Sequence, residues 1–178
     1  MDRMDFLKSV CGLGACGCAL NILGTRYSLR AADPPAEDQR LRFARYQLAK
    51  MLGFMAVDAP PETCIGILEK TGRECAKLGQ LQAKFKGDME GYFAAAKKNW
   101  GTDFAWDKLK GVITITVPEG DCGCPVVDRR RTPAVFCHCS VGYQKETFDT
   151  LFGKPVKACL KESKLGGSQR CVFEITLT

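Results

Sequence analysis

The sequence predicts an α+β domain: N-terminal helices packed on an antiparallel sheet, with β-β-α-β-β order at the C-terminal end. Three observations predict it. Two segments that begin at Pro-Pro pairs, 34–35 and 60–61, carry apolar residues at helical spacing. At Val112-Ile113-Thr114-Ile115-Thr116-Val117 every residue is β-branched, the mark of a strand. The last stretch alternates about Gly166-Gly167, the pattern of a hairpin.

Asp33-Pro34-Pro35 is a helix start, and the first helix runs to about Met55 with Leu41, Ala44, Leu48, Met51, Leu52 and Met55 in register. Asp58-Ala59-Pro60-Pro61 repeats the signal, so a second helix reaches about Leu78. A third covers 81–99. After Gly111 come the strand at 112–117, a second short strand at 134–139, and a helix at 140–152 ended by Gly153 and Pro155. Strands at 156–163 and 170–177 close the chain. Helices followed by this strand pattern give the α+β class.

Composition narrows the function. With 46% hydrophobic and 26% charged residues, the 178-residue chain is neither disordered, collagenous nor a multi-span membrane protein. A net charge of +6 is spread along the sequence, which gives no argument for nucleic-acid binding. The single histidine, His138, leaves a His-rich zinc enzyme or a Ser-His-Asp triad only one ring to build on. Cysteine is the outlier: there are 11, an odd number that no complete set of internal disulfides can use.

The first 32 residues read as an address and 33–178 as one domain. Residues 9–25 are uncharged and follow Arg3-Met4-Asp5-Phe6-Leu7-Lys8, a degenerate twin-arginine-like pattern with Met4 at the second arginine. Leu13-Gly14-Ala15-Cys16 is similar to a lipobox. The expectation is export to the periplasm or envelope, with membrane contact only through this segment if it is uncleaved or lipidated. A cytoplasmic location is expected if the leader does not function. Cys11, Cys16 and Cys18 then belong to the leader, and eight cysteines remain.

A two-residue turn at Gly166-Gly167 pairs residues whose numbers sum to 333. Val156 then faces Leu177, Ala158 faces Ile175 and Leu160 faces Phe173, one apolar face that ends with Glu162 opposite Cys171. A carboxylate there wants a cation shared with thiolates or else open water. Cys137 and Cys139, two apart on the expected strand, share a face. Cys122 and Cys124 form a second C-x-C in Asp121-Cys122-Gly123-Cys124-Pro125. Cys137, Cys139, Cys171, Glu162, Cys122 and Cys124 are therefore the candidate metal ligands, and zinc the expected metal. Cys64 and Cys75 lie three turns apart on one helix, roughly 16 Å by rise, too far to bond each other. Their role is packing or, together with Tyr143 and Trp106, the lining of a ligand pocket. Cys159 points away with Lys157 and Lys161. Arg129-Arg130-Arg131 is a solvated loop run.

Cys137-His138-Cys139-Ser140-Val141-Gly142-Tyr143, Phe148, Phe152-Gly153-Lys154-Pro155-Val156, Glu162, Gly167 and Cys171-Val172-Phe173 together resemble the C-terminal half of the four-vinyl-reductase-type small-molecule-binding domain. The resemblance covers about a quarter of the chain. It implies a bacterial sensory or ligand-binding domain, a homodimer, and a structural zinc at Cys137, Glu162 and Cys171. The family's sensors carry a further cysteine where this chain has Leu165, so Cys139, Cys122 or Cys124 would complete the set. The helical half and the Cys122-Cys124-Pro125 element are also similar to uncharacterised bacterial cysteine-rich proteins, some labelled amino-thiazoline-carboxylate hydrolase. The leading expectation is a non-catalytic small-molecule-binding or sensing domain with structural zinc. The alternatives are a metal-dependent hydrolase of a small substrate with Glu162 as general base, and a thiol redox protein using Cys122/Cys124 or Cys137/Cys139.

Overall fold

The computed structural model describes residues 38–178. The readings of 1–32 as a leader and of a helix start at Asp33 lie outside these residues. Helix α1 (Gln39–Asp58) opens at Asp38, whose carboxylate accepts from the Arg40 N–H at 3.0 Å. Helix α2 (Pro61–Gly79) starts with proline in its first turn, as expected. The single helix expected over 81–99 is instead two, α3 (Leu81–Lys84) and α4 (Met89–Trp100). Gly87 takes φ +81° between them, and Asp88 caps α4 by accepting from the Gly91 N–H.

Strands β1 (Asp103–Asp107) and β2 (Val112–Val117) form a hairpin, and β3 (Val156–Glu162) and β4 (Cys171–Leu177) form another. The sheet order is β1-β2-β4-β3, antiparallel throughout. The fold class is α+β, in the predicted β-β-α-β-β order, but with a different first pair of strands. The expected strand at 134–139 is a turn of 3-10 helix (Ala134–Phe136) running into helix α5 (Cys137–Phe152). Cys137, Val141, Phe148 and Leu151 are all buried at helical spacing, so the period of α5 extends back through the cysteines. β1 takes the vacant place. Its Phe104 and Trp106 turn inward, and the Asp107 carboxylate accepts from Leu109 and Lys110 N–H to form the hairpin turn.

The inner face of the sheet, with Ile113, Ile115, Phe173, Ile175 and Val156, packs against Met89 and Tyr92 of α4 and Val141, Phe148 and Leu151 of α5. The outer face carries Thr114, Thr116, Lys157, Lys161 and Glu174, the alternation of a half-solvated antiparallel sheet. Helix α2 lies against α5 at very short range. A Cβ on Gly72 would sit 1.7 Å from the Cys139 carbonyl oxygen, and one on Gly142 would sit 1.9 Å from that of Glu69. Ion pairs flank the crossing: Arg73 reaches Glu146 at 2.9 Å and Asp149 at 2.8 Å, and Lys145 pairs with Glu69. A second apolar cluster, with Leu52, Cys64, Leu68 and Phe136 at its centre, joins α1 and α2 to the segment before α5. Among the described residues no helix is long and apolar enough to cross a membrane.

Candidate functional site

The expected register holds for most of the last hairpin. Val156 pairs with Leu177, Ala158 with Ile175 and Leu160 with Phe173. At the turn end it fails, because a bulge between Leu160 and Glu162 puts Glu162 opposite Val172 rather than Cys171. The connection is not a two-residue turn but a loop over 163–170, closed by the Ser168 N–H donating to the Ser163 carbonyl. Glu162 pairs with Arg170 at 3.4 Å and its side chain is 41% exposed. It therefore faces a cation of its own chain, and water.

The thiols gather around the first turn of α5. Cys137 is buried there, with Ser163 and the Leu165 backbone near enough to ease the rise that burial imposes on its thiol. Cys171, at the start of β4, accepts from the Lys164 N–H at 3.5 Å. Cys122 arrives from the loop after β2, near enough to both sulfurs for their charges to act on it. Lys164 is buried at 5% exposure, with its ammonium on the Asp121 carbonyl at 3.1 Å, and it lowers the Cys122 pKa.

A helix turns by 100° per residue, so Cys139 does not share a face with Cys137 as it would on a strand. It looks instead toward α2, where the exposed Cys75 is near enough to act on it, with Cys124 also in electrostatic range. The nearest neighbours of the two α5 cysteines therefore differ: Cys137 lies nearer Cys122 and Cys171, and Cys139 nearer Cys75 and Cys124, while Cys137 still acts on Cys139. Cys75, read from the sequence as packing or pocket lining, belongs to the thiol region. Only the helical phase of α5 could have shown this.

Burial is the main force on these thiols. It pushes Cys122 and Cys137 above the ordinary thiol value and Cys139 up to about 12, with neighbouring cysteines adding to the rise. They are neutral thiols near pH 7, and thiolates here need a cation. The donor chemistry suits a soft metal. The geometry does not yet do so: among the described residues no three His, Cys, Asp or Glu side chains converge to hold an ion.

The pocket candidates separate. Cys64 is 1% exposed and packs with Leu52, Leu68 and Phe136. Tyr143 is half-buried on α5 near Cys75, and its phenol is raised mainly by burial. Trp106 lies in an aromatic layer between helices and sheet, edge-on to Phe93 at 6.4 Å and Phe152 at 5.9 Å, while Phe93 stacks on Phe104 at 4.4 Å. Its Nε1–H is buried with no acceptor. Cys159 stands on the outer face beside Glu174, as expected. A separate open groove of about 470 Å³ runs along α1, bounded by Tyr46, Lys50, Phe54, Val57 and Arg131.

No protein-family model matches this chain, and no curated protein does. Solved structures with a similar chain path include trafficking protein particle complex subunit 3 from Naegleria fowleri, covalently bound to palmitic acid. It is 16% identical, the match covers 77% of this chain and 96% of that one, and the TM-score is 0.46. Another is the phenol-responsive sensory domain of the transcription activator PoxR with phenol, 14% identical over 74% of this chain and 73% of that one, with a TM-score of 0.46. At that level neither likeness assigns a function.

Proposed function

We propose that this chain is a non-catalytic, small-molecule-binding domain of sensory type. The observation that carries the reading is the Trp106 indole N–H, buried without an acceptor in a layer of aromatic rings. A buried donor left unpaired costs about 1–3 kcal/mol, and an oxygen acceptor on a ligand would recover it. The matching ligand is a small aromatic molecule with an oxygen acceptor, stacked among Phe93, Phe104 and Phe152. Entry would need Phe152, only partly buried, to swing aside. The test is thermal protection by phenol and by benzoate, in wild type and Trp106→Phe, which keeps the ring and loses the N–H. Protection of wild type alone supports the reading. No protection by either compound, or equal protection of the variant, overturns it.

The proposal includes zinc as a structural staple at the thiol end, held by Cys122, Cys137 and Cys171 with Cys124 or Cys139 as a further sulfur donor. The grouping of sulfurs from three separate segments supports it, and the loop carrying Cys122 and Cys124 would close on α5 to complete the shell. Elemental analysis should find one zinc per chain, lost in Cys171→Ser. Metal-free wild type sinks the staple. Glu162, occupied by Arg170, is left out of the set, and the hydrolase reading with Glu162 as base loses its geometry with it.

The thiol redox reading keeps one specific observation, the approach of Cys75 on α2 to Cys139 on α5, near enough for Cys75 to raise the Cys139 thiol. It moves that reading away from both C-x-C pairs. A thiol count that falls by two on exposure to oxidised glutathione, and not in Cys75→Ser, would favour it over zinc.

A further inference from the structure

Helix α1 has two apolar faces. One, with Leu48, Leu52 and Met55, packs against α2 and the segment before α5. The opposite one carries Phe43, Tyr46, Phe54 and Val57, spaced by three, eight and three residues, which places all four within a narrow stripe of the helix. These side chains are 60%, 45%, 66% and 83% exposed, far from what a closed core tolerates in so many large apolar groups on one helix.

The charge on this face has one sign. Lys50 sits within the stripe, Arg40 and Arg42 stand on its flanks, and α1 has no acidic residue before Asp58. Lys50 Nζ lies 5.7 Å and the guanidinium of Arg131, which also pairs with Asp128, 5.9 Å from the centre of the Tyr46 ring. A second copy is a poor occupant, because two-fold pairing would set these cations against one another. A protein anchor pocket is also a poor match, since Tyr46, Phe54 and Val57 bound an open groove along the helix, with Phe43 outside it, rather than one closed depression. An exposed apolar stripe of about 21 Å, flanked by arginine and lysine, is the pattern of a helix that lies in a lipid headgroup layer.

We infer that the outer face of α1 docks on an anionic lipid surface, with Phe43, Phe54 and Val57 entering the acyl boundary and Arg40, Arg42 and Lys50 meeting headgroup phosphates. The inference does not depend on the proposed ligand or on zinc, and it concerns a surface distinct from the N-terminal segment. The groove beside Tyr46 and Phe54 offers room for part of a lipid chain.

The experiment is co-sedimentation of the full chain with vesicles of phosphatidylcholine alone and of phosphatidylcholine with about 40% phosphatidylglycerol. Three proteins are compared: wild type, Phe43→Ser/Phe54→Ser and Arg42→Glu/Lys50→Glu. All altered side chains are exposed, so melting temperatures should be unchanged and losses of binding interpretable. Wild type should bind the anionic vesicles, release with added salt, and ignore the neutral ones. Each double variant should partition about ten-fold more weakly or worse, the first by lost apolar burial and the second by lost attraction to the headgroups. Equal partitioning of variants and wild type would assign all binding to another segment and overturn the inference. So would binding to neutral vesicles alone, or no binding at all. A wild-type dimer that Phe43→Ser/Phe54→Ser dissociates would overturn it too, by placing a second copy on this face.

Discussion

Two regions of the same helix are held in opposite ways. Along the middle of α5, Gly142 meets the backbone of α2 while Gly72 of α2 meets Cys139, and no side chain could be inserted at either glycine. At the N-terminal end of α5, six thiols from α2, the loop after β2, α5 itself and β4 approach one another without any three converging as metal ligands. The first region is fixed by exclusion: close backbone contact and flanking ion pairs leave one arrangement. The second is fixed by adjacency alone, because loops deliver several of the sulfurs and burial favours the neutral thiol at Cys122, Cys137 and Cys139. Rigidity in the crossing sets where the thiols stand, and a bound cation would be needed to draw them together.

The sharpest way to break this contrast is at the crossing. Gly72→Ala introduces a methyl that must push α2 and α5 apart, and the ordinary cost of overpacking, about 1–3 kcal/mol, is the lower bound here. Melting temperature should fall by about 10 °C or the protein should fail to accumulate, with Gly142→Ala behaving alike. The thiol end should respond less and conditionally. If zinc staples it, a strong chelator should lower the melting temperature by about 5 °C, and Cys171→Ser should already show that loss and gain nothing from chelator. A chelator without effect on wild type separates the two regions completely.

Alkaline pH gives a smaller, graded effect. Folding raises Cys139 from an ordinary value of 9 to about 12, chiefly by burial, and raises Tyr92 by the same cause. Above pH 9 the unfolded chain sheds a proton that the folded one retains, so stability is full below pH 9 and declines as pH climbs toward 12. Melting curves across that window should show the decline, shallower in Cys139→Ser. Alkylation at pH 8 should label exposed Cys75 and Cys159 before Cys139. The smallest effect is expected at Glu162→Gln. With Glu162 turned to Arg170, stability should change by no more than about 0.5 kcal/mol and metal content not at all. Loss of metal in that variant would restore Glu162 to the ligand set.

Much of this fold was legible in the chain. Pro60-Pro61 marked the start of α2, the β-branched run marked β2, and the apolar ladder gave the outer register of the last hairpin, because these signals are local and the pleat has a period of two. The candidate site was less so. Cys137-His138-Cys139 is compatible with a strand when read alone, and β1 announces itself weakly because its Phe104-Ala105-Trp106 core contains no β-branched residue. The bulge that displaces Glu162 depends on a loop that closes through Ser163, which no alternation announces.

The sequence by itself determined the class of the domain, the start of α2 and the run of β2, since propensity and capping act over a few residues. Only the tertiary structure decided which thiols meet. Packing Gly72 against Cys139 sets the rotation of α5, and a helix that turns 100° per residue sends two cysteines two positions apart toward different neighbours.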